Sequence, residues 1–380
     1  MNSAFYGNFK LGILGGGQLG RMLVQEAINL SLSVAILDPD KNAPCKEIVS
    51  DFTVGDIRDF ETVYQFGKTV NLLTIEIEHV NVDALERLEK EGLAVYPQPN
   101  ILRMIQDKGL QKKFYSEHNF PTADYFLSEN KLETLSHKAH FPFMQKLRKG
   151  GYDGKGVMKL SNESDIEKSF DAPSVLEKLI DFEKEISVIV ARNKSGESAC
   201  FPAVEMEFNA EANLVEFLFS PADISEKTEK KSTEIALQIV EKLGIVGLLA
   251  VEMFVTKDGE ILVNEMAPRP HNSGHQTIEG NFTSQYAQHL RAILNLPLGD
   301  TKISSPSVMV NLLGDKNFQG DVKYEGLEAV LAEKEVYVHL YGKKMTKPFR
   351  KMGHVTILAE TIEKAKKKAI FVKEKLKVIS

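Results

Sequence analysis

The hydrophobic and polar positions of the first hundred residues alternate as they do in an α/β domain. A mainly apolar run at Lys10–Leu14 precedes a glycine-rich turn and an amphipathic stretch over about 21–30, and a second apolar run follows at Ser33–Leu37. A third run occupies Leu72–Ile77. Short buried strands that alternate with amphipathic helices are typical of a parallel sheet. We therefore predict a small doubly wound α/β domain over residues 1–99.

The middle of the chain has a different pattern, in which strand-like runs follow one another directly. A basic helical stretch at 101–118 precedes two such runs, Pro142–Leu147 and Val157–Leu160, which flank a glycine-rich loop. Later strand-like runs lie near 174–180, 184–190, 201–208 and 214–219, and an amphipathic helix is predicted at 225–243. We predict one domain over residues 100–297, with a glycine-rich lid at about 120–190.

The remaining residues, 298–380, are predicted to form a small β-rich domain. Strands are expected near Ser307–Leu313, Val336–Tyr341 and His354–Leu358, and a closing amphipathic helix at Thr361–Val378. Between the last two strands lies a cluster of basic residues, from Lys343 to Lys351. A basic loop between strands suits the binding of a phosphate group.

The strongest candidate for chemistry is a predicted hairpin, GLLAVEMFVTKDGEILVNEMA, at 247–267. A two-residue Asp258-Gly259 loop aligns its strands so that Glu252 lies opposite Glu265. Opposed like charges on a largely buried hairpin require compensation, and a divalent cation such as Mg²⁺, which binds carboxylate and phosphate oxygens, would supply it. The alternative is that one or both glutamates are salt-bridged or exposed. The polar segment PRPHNSGH that follows, at 268–275, is rich in groups that bind anions.

Two glycine-rich loops indicate phosphate binding without identifying the ligand. GGGQLG at 15–20 follows the first strand and opens a helix, and Asp38 ends the next strand, as in dinucleotide-binding folds. The same glycines suit the phosphate of another ligand or a tight turn, so all three interpretations stay open. The loop 149–156, which follows Lys146, combines glycines and lysines in a way that suits phosphate; a flexible surface loop is the alternative.

Composition narrows the class of protein. Hydrophobic residues make up 43% and charged residues 26% of the 380 residues, as in ordinary globular proteins. The net charge of −6 provides no overall attraction to nucleic acid or to acidic membranes, and two cysteines argue against a disulfide scaffold or a cysteine-rich zinc site. The N-terminus lacks the features of a signal peptide, and no apolar run reaches membrane-spanning length. We expect a cytoplasmic protein with no nucleic-acid or membrane partner.

Five stretches together resemble one family. They are GGGQLGRM at 15–22, GGYDGKG at 150–156, NEMAPRPHNSGH at 264–275, YGKK at 341–344 and RKMGHVTI at 350–357. The chain resembles the ATP-grasp superfamily, and within it the 5-(carboxyamino)imidazole ribonucleotide synthases, over nearly its whole length. The resemblance implies a mixed α/β fold, in which a Rossmann-like pre-ATP-grasp domain precedes an ATP-grasp domain and a small C-terminal β-rich domain.

The resemblance also implies how ATP would be bound. Lys108 and Lys146 would contact its phosphates, Glu177 to Ile180 would border the adenine, Glu185 the ribose, and Glu252 with Glu265 would hold Mg²⁺ or Mn²⁺. The residues that it assigns to ATP are Lys108, Lys146, Gly151, Tyr152, Asp153, Gly154, Lys155, Gly156, Val157, Glu177, Lys178, Leu179, Ile180, Glu185, Asn264 and Glu265. Strict strand alternation would turn Asn264 away from Glu265. The family more often has arginine in place of Lys108 and histidine in place of Phe208.

The implied reaction is the carboxylation of 5-aminoimidazole ribonucleotide by bicarbonate, with carboxyphosphate as intermediate. Arg269 and His271 would hold the bicarbonate or carboxyphosphate, and Tyr152 and Asp153 would border the amine. The ribotide phosphate would bind to Lys343, Arg350 and the backbone of Gln18 and Leu19, with Glu76 on the ribose. A homodimer and coupling to the mutase that uses the product are also implied.

Other functions are open from the residues alone. A formate-dependent glycinamide ribonucleotide transformylase shares the architecture, and a catalytically inactive ATP-grasp module would lack the residues for turnover. An NAD-dependent oxidoreductase would use the loop 15–20 and Asp38, but would leave Glu252 and Glu265 without a role.

Overall fold

A computed structural model describes residues 5, 8–151, 156–209, 211 and 213–380 of the chain. The N-terminal part contains β1 (Lys10–Leu14), α1 (Gln18–Asn29), β2 (Ser33–Asp38), β3 (Asp51–Val54), α2 (Phe60–Gly67), β4 (Leu72–Ile75), α3 (Val82–Lys90), β5 (Ala94–Val95) and α4 (Pro99–Ile105). Its five strands form a parallel sheet in the order β3-β2-β1-β4-β5. The strand order reverses between β1 and β4, and ligands of open α/β sheets bind at such a point. The glycine loop 15–20 lies there.

The next part of the chain contains two helices and a four-stranded antiparallel sheet. In chain order the elements are α5 (Lys108–Glu117), β6 (Tyr125–Ser128), α6 (Lys131–Ser136), β7 (Phe143–Leu147), β8 (Val157–Leu160) and β9 (Ser174–Lys178). The strand order in the sheet is β6-β9-β7-β8. The predicted single helix at 101–118 is wrong. Asp107 interrupts it and caps α5, because its carboxylate accepts hydrogen bonds from the backbone N–H groups of Gly109 and Leu110.

A nine-stranded sheet dominates the rest of the molecule. Its first part contains β10 (Phe182–Arg192), β11 (Ser198–Cys200), β12 (Val204–Asn209), β13 (Leu214–Ser220), α7 (Glu226–Leu243), β14 (Gly247–Thr256), β15 (Ile261–Ala267), α8 (Thr277–Gly280) and α9 (Gln285–Ile293). Apolar side chains of α7 such as Ile235 and Ile239 pack with those of β10 and β14 in one core. Another core joins Tyr286 and Leu290 of α9 to the helix α1 and the strands β1 and β2. Helix α9 thus lies between the N-terminal part and the hairpin.

The C-terminal elements are β16 (Ser307–Leu313), β17 (Gly320–Asp321), β18 (Lys323–Glu325), α10 (Leu327–Leu331), β19 (Val336–Leu340), β20 (Met345–Thr346), β21 (Lys351–Leu358), α11 (Ile362–Lys375) and β22 (Lys377–Ile379). Strand β16 pairs with β13, so the large sheet runs in the order β15-β14-β10-β12-β13-β16-β21-β19, with β11 beside β10. The predicted domain boundary near residue 298 falls between α9 and β16, and one sheet spans it. The predicted final helix is too long, since Lys377–Ile379 pair with β18 as a strand. Among the described helices, none has the length and apolar character needed to cross a membrane.

Candidate active site

The hairpin of β14 and β15 brings Glu252 opposite Glu265, as predicted, although its turn differs from the prediction. The loop has three residues, because Thr256 and Glu260 bond across it and Gly259 takes a left-handed conformation with φ +76°. The longer loop shifts the pairing by one residue. A β-bulge at Asn264 shifts it back, since Val263 faces Met253 whereas Glu265 faces Glu252. The predicted register near the turn was therefore wrong, and the bulge restores the opposition of the two glutamates.

The bulge also corrects the expected direction of Asn264. Strict alternation predicted that this side chain would point away from Glu265. In the structure, both side chains line one cavity, and the Asn264 Oδ1 accepts a hydrogen bond of 2.8 Å from the Lys146 Nζ. A bulge places an extra residue on one strand and changes the direction of its side chain. Asn264 is thereby brought to the cluster that the sequence assigned to ATP.

Three lysines meet the acidic residues of this cluster. Lys108, in the first turn of α5, contacts Glu265, and the Lys146 Nζ of β7 lies 3.0 Å from the Glu177 Oε2. Lys112 follows Lys108 by one helical turn, and its Nζ lies 3.4 Å from the same Glu177 oxygen. Lys112 was not among the predicted site residues. The signal that could have found it is its spacing of four residues from Lys108, which puts both lysines on one helix face.

The pKa values of the carboxylates in this cluster are shifted in opposite directions. Lys108 lowers the pKa of Glu265 to about 2, and the Glu265 side chain retains 40% exposure, which leaves the anion accessible. Burial, followed by the charges of Glu265 and Glu185, raises the pKa of Glu252 well above its usual value. Burial and Glu265 raise the pKa of Glu185 to about 7. The lysines nearby thus do not compensate all of these carboxylates, and that imbalance fits a divalent cation bound to oxygen ligands. Within the described ranges, no group of three or more histidine, cysteine, aspartate or glutamate side chains forms a metal cluster.

The space inside the cluster is small. It is lined by Lys108, Gln111, Lys112, Lys146, Glu177, Asn264 and Glu265, and its volume is about 10 Å³. A volume of this size holds about one water molecule. A triphosphate can enter only if these side chains separate, and the partly exposed contact between Lys108 and Glu265 is the one that an anionic ligand can replace most directly.

The predicted adenine-binding stretch lies at the end of β9. Glu177 is buried there, and burial opposes its ionisation, but Lys146 and Lys112 outweigh that effect and lower its pKa. Its side chain therefore belongs to the lysine cluster. Lys178 ends the strand, and the half-buried Leu179 and Ile180 follow it, just beyond the last ladder pair. Phe208 packs beside a core of Val204, Met206, Leu218 and Met309.

The predicted glycine-rich loop at 149–156 joins β7 to β8, which pair as a hairpin with Lys146 opposite Val157. Gly156 has a φ of +75°, a conformation that favours glycine, and its carbonyl accepts a hydrogen bond from the Leu147 N–H. Gly151 is half-buried. The predicted residues Tyr152, Asp153, Gly154 and Lys155 lie outside the described residues.

Arg269 and His271 lie on the loop that follows β15, where His271 contacts Glu252 and Arg269 contacts Glu78. The Arg269 guanidinium forms two bonds with Glu78, of 2.5 and 3.1 Å. Burial alone would raise the pKa of Glu78, but Arg269 lowers it to about 2. The His271 Nε2 lies 3.3 Å from the Glu252 Oε1, and burial and Arg269 lower the pKa of His271 to about 3, so its imidazole is neutral at pH 7. Glu78 was not predicted as a site residue, although it ends the same acidic run as Glu76.

At the glycine loop, two carboxylates bind the backbone. Asp38 accepts hydrogen bonds from the N–H groups of Gly16, at 2.6 Å, and of Asp40, at 2.7 Å. Each Asp38 oxygen thus accepts a backbone N–H, which gives this carboxylate a structural role at the glycine loop. Glu76, which is 8% exposed, accepts hydrogen bonds from the N–H groups of Gly17 and Gly20.

The basic C-terminal loop reaches the same place. The Lys343 Nζ donates a hydrogen bond of 2.8 Å to the Gln18 Oε1, at the start of α1. Leu19 follows in the first turn of that helix, where backbone N–H groups have no acceptor within the helix. The Arg350 guanidinium instead donates to the Met345 carbonyl oxygen. The structure thus brings Lys343 to Gln18, while the contact described for the Arg350 side chain stays inside its own loop.

Comparison with protein-family models divides the chain into three matches. They are a ribonucleotide synthetase preATP-grasp domain at residues 9–106, an ATP-grasp domain at 113–286, and a phosphoribosylaminoimidazole carboxylase C-terminal domain at 307–368. The predicted order of the three domain types along the chain is thereby confirmed.

Two relatives show the range of similar proteins. The chain is 37% identical to the N5-carboxyaminoimidazole ribonucleotide synthase of Bacillus subtilis, over 92% of this chain and 91% of that protein. It is also 37% identical to the chloroplastic phosphoribosylaminoimidazole carboxylase of Vigna aconitifolia, over 93% of this chain but only 64% of the length of that protein.

Solved structures agree with these relatives. The N5-carboxyaminoimidazole ribonucleotide synthetase of Thermotoga maritima superposes with a TM-score of 0.91 and 43% identity, over 98% of this chain and 99% of the other. The synthase of Aspergillus clavatus, solved with ADP and 5-aminoimidazole ribonucleotide, superposes with a TM-score of 0.87 and 34% identity, over 97% and 99%.

Proposed function

The chain belongs to the N5-carboxyaminoimidazole ribonucleotide synthase family of ATP-grasp ligases, and we propose that it carboxylates 5-aminoimidazole ribonucleotide with ATP and bicarbonate. The products are N5-carboxyaminoimidazole ribonucleotide, ADP and phosphate, in a step of purine biosynthesis. The observation that carries the proposal is the pair of facing glutamates, Glu252 and Glu265, beside Lys108, Lys112 and Lys146. Such a cluster suits a nucleoside triphosphate bound together with a divalent cation.

Glu252 and Glu265 would hold Mg²⁺, and Mn²⁺ would fit the same oxygen ligands. The bound cation would draw negative charge from the transferring phosphoryl group. Lys108 would exchange its contact with Glu265 for a phosphate oxygen, and Lys146 would bind a second phosphate while Asn264 holds it in place. The adenine would lie against Lys178 to Ile180, the ribose against Glu185, and the loop 151–157 would cover the phosphates.

The chemistry proceeds in two displacements. An oxygen of bicarbonate attacks the γ-phosphorus, the bond to the β-phosphate oxygen breaks, and carboxyphosphate and ADP form. The exocyclic amine of the ribotide then attacks the carboxyl carbon, the bond to phosphate breaks, and the amine loses a proton. His271 supports this sequence because it lies beside Glu252, and Arg269, two residues before it on the same loop, carries a positive charge held by Glu78. Exclusion of water protects the intermediate, and Tyr152 and Asp153 of the lid would border the amine.

The ribotide would bind at the glycine loop. The backbone N–H groups of Gln18 and Leu19 open α1, and an anion is stabilised at such a helix N-terminus. Lys343 supports this assignment because it already lies against Gln18, and Arg350 would complete the phosphate site. Glu76 would accept from the ribose, in addition to holding the loop.

Several further properties follow from the family resemblance. We propose that the protein is a cytoplasmic homodimer without a nucleic-acid or membrane partner. We also propose that its unstable product passes to the mutase that rearranges it.

The test is ADP release by the purified protein with Mg²⁺ and ATP, while bicarbonate and 5-aminoimidazole ribonucleotide are added separately and together. We expect release that depends on the ribotide, and a labelled carboxyl group in the product. Formate with glycinamide ribonucleotide is the control pair. Release with the control pair alone would overturn the proposed substrate and leave the ATP-grasp fold intact.

A further inference from the structure

The side chain of Gln285 holds the backbone of His271. Its Oε1 accepts a hydrogen bond of 2.8 Å from the His271 N–H, and its Nε2 donates one of 2.7 Å to the His271 carbonyl. Gln285 is fully buried. The amide thus pairs with both backbone groups of one residue, as a neighbouring β-strand would. The peptide groups on both sides of the His271 imidazole are fixed by this pair.

The loop after His271 packs closely around Gln285. A side chain at Gly274 would place its Cβ 2.5 Å from the Gln285 Cδ, so only glycine fits there. The Thr277 hydroxyl accepts a hydrogen bond from the Gln285 backbone N–H and donates one to the Gly274 carbonyl. The loop is therefore closed around the first turn of α9, and Gln285 has little freedom to move.

Helix α9 is itself attached to the N-terminal part of the molecule. Its N-cap residue, Ser284, donates a hydrogen bond of 2.7 Å to Glu26 of α1. The His289 Nε2 lies 2.9 Å from the Thr74 hydroxyl of β4. The residue that holds His271 thus belongs to an element fixed against the sheet that carries the glycine loop.

We infer that Gln285 is a positioning residue, which fixes the backbone of His271 and thereby holds its imidazole beside Glu252 and the reacting phosphoryl group. The inference rests on the proposed function. A small displacement of a group that stabilises an intermediate can lower the rate by a large factor. Loss of the two hydrogen bonds from Gln285 to the His271 backbone would allow carboxyphosphate to decompose, so that ATP is consumed without carboxylation.

The same helix offers a matched control. Gln288 is equally buried and makes the same pair of bonds with Gly299, since its Oε1 accepts from the Gly299 N–H and its Nε2 donates to the Gly299 carbonyl, both at 2.8 Å. Gly299 lies outside the cluster that we assign to ATP. Gln285→Met and Gln288→Met therefore each remove the same pair of backbone bonds from one helix, and only the first removes them from His271, together with a 3.4 Å contact between the Gln285 Nε2 and the His275 Nδ1.

The experiment measures phosphate release and carboxylated product for both variants, after the wild type has been shown to carboxylate the ribotide. We expect Gln285→Met to lower kcat for product formation about 10- to 100-fold and to raise the phosphate released per product, while KM for ATP stays near the wild-type value. Gln288→Met should keep the wild-type ratio of phosphate to product.

Equal ratios in the two variants would overturn the inference, whether both are normal or both are raised. A wild type that is inactive with the ribotide would instead overturn the proposed function. If Gln285→Met does not fold, Gln285→Glu and Gln288→Glu provide the same comparison. The glutamate at 285 keeps an acceptor for the His271 N–H and loses the donor to its carbonyl.

Discussion

Two acidic sites of this protein are built in opposite ways. At the glycine loop, Asp38 and Glu76 are bonded to fixed backbone N–H groups. At the hairpin, Glu252 and Glu265 face one another, and their nearest positive groups are the ends of flexible lysine side chains. Backbone donors cannot leave, whereas a lysine can exchange its carboxylate for a phosphate. The protein itself therefore compensates the carboxylates of the first site, whereas it compensates those of the second only in part.

The largest effect that follows from this comparison concerns activity. We expect Glu265→Gln to lower kcat/KM for ADP release about 100-fold or more, because it removes an anion that would hold the cation and leaves Lys108 without its partner. Steady-state kinetics across a range of Mg²⁺ concentrations would measure this. Glu260→Gln, on the exposed turn of the same hairpin, is the control and should retain wild-type activity. Near-normal kinetics for Glu265→Gln would remove the hairpin from the active site.

The next effect concerns stability at the glycine loop. Glu76→Ala should destabilise the protein by about 2–4 kcal/mol, because it leaves the buried N–H groups of Gly17 and Gly20 without acceptors. It should also raise KM for the ribotide and spare KM for ATP. Denaturant unfolding and two sets of kinetics would measure these changes. If stability is unchanged and only the ribotide KM rises, Glu76 would bind the ligand without holding the loop, and the contrast between the two sites would fail.

The fold and the site differ in how far the sequence predicts them. The strand-turn-helix order around the loop 15–20 and the hairpin at 247–267 are local patterns, and both were found. The pairing of β13 with β16 joins residues about 90 apart, and no local pattern indicates that one sheet crosses residue 298. The family models confirm the order of three domains. The family resemblance predicted this order, whereas the periodicity of apolar residues alone did not.

The missed site residues share one cause. Lys112 lies one helical turn from Lys108, but its place in the site depends on Glu177 of β9, a partner that the spacing does not indicate. Glu78 is a site residue because Arg269 meets it from a distant loop. Gln285 acts on backbone groups of His271, which any sequence would provide. Each role depends on a tertiary partner, and neither residue type nor spacing identifies that partner in advance.

The smallest expected effect is the pH dependence of the free energy of unfolding that arises from Glu252 of the hairpin. The pKa of Glu252 is raised in the folded protein, so the folded state binds more protons than the unfolded state above the ordinary glutamate pKa. The stability that protonated Glu252 contributes is thus present below that value and is lost as pH rises through the raised pKa. Glu252→Gln cannot ionise, and we expect it to gain about 1 kcal/mol over the wild type between pH 5 and pH 8, because Lys108 and Lys146 offset part of the penalty in the wild type.

Denaturant unfolding at the two pH values, with and without Mg²⁺, measures this difference. Magnesium should stabilise the wild type at pH 8 and leave Glu252→Gln nearly unchanged, which would close the gap between them, because a cation bound to both carboxylates relieves their repulsion. A Glu252→Gln variant that is less stable than the wild type at pH 8 would mean that the charged carboxylate is already fully compensated by protein groups. The protein alone would then compensate the hairpin carboxylates, as it does those of the glycine loop.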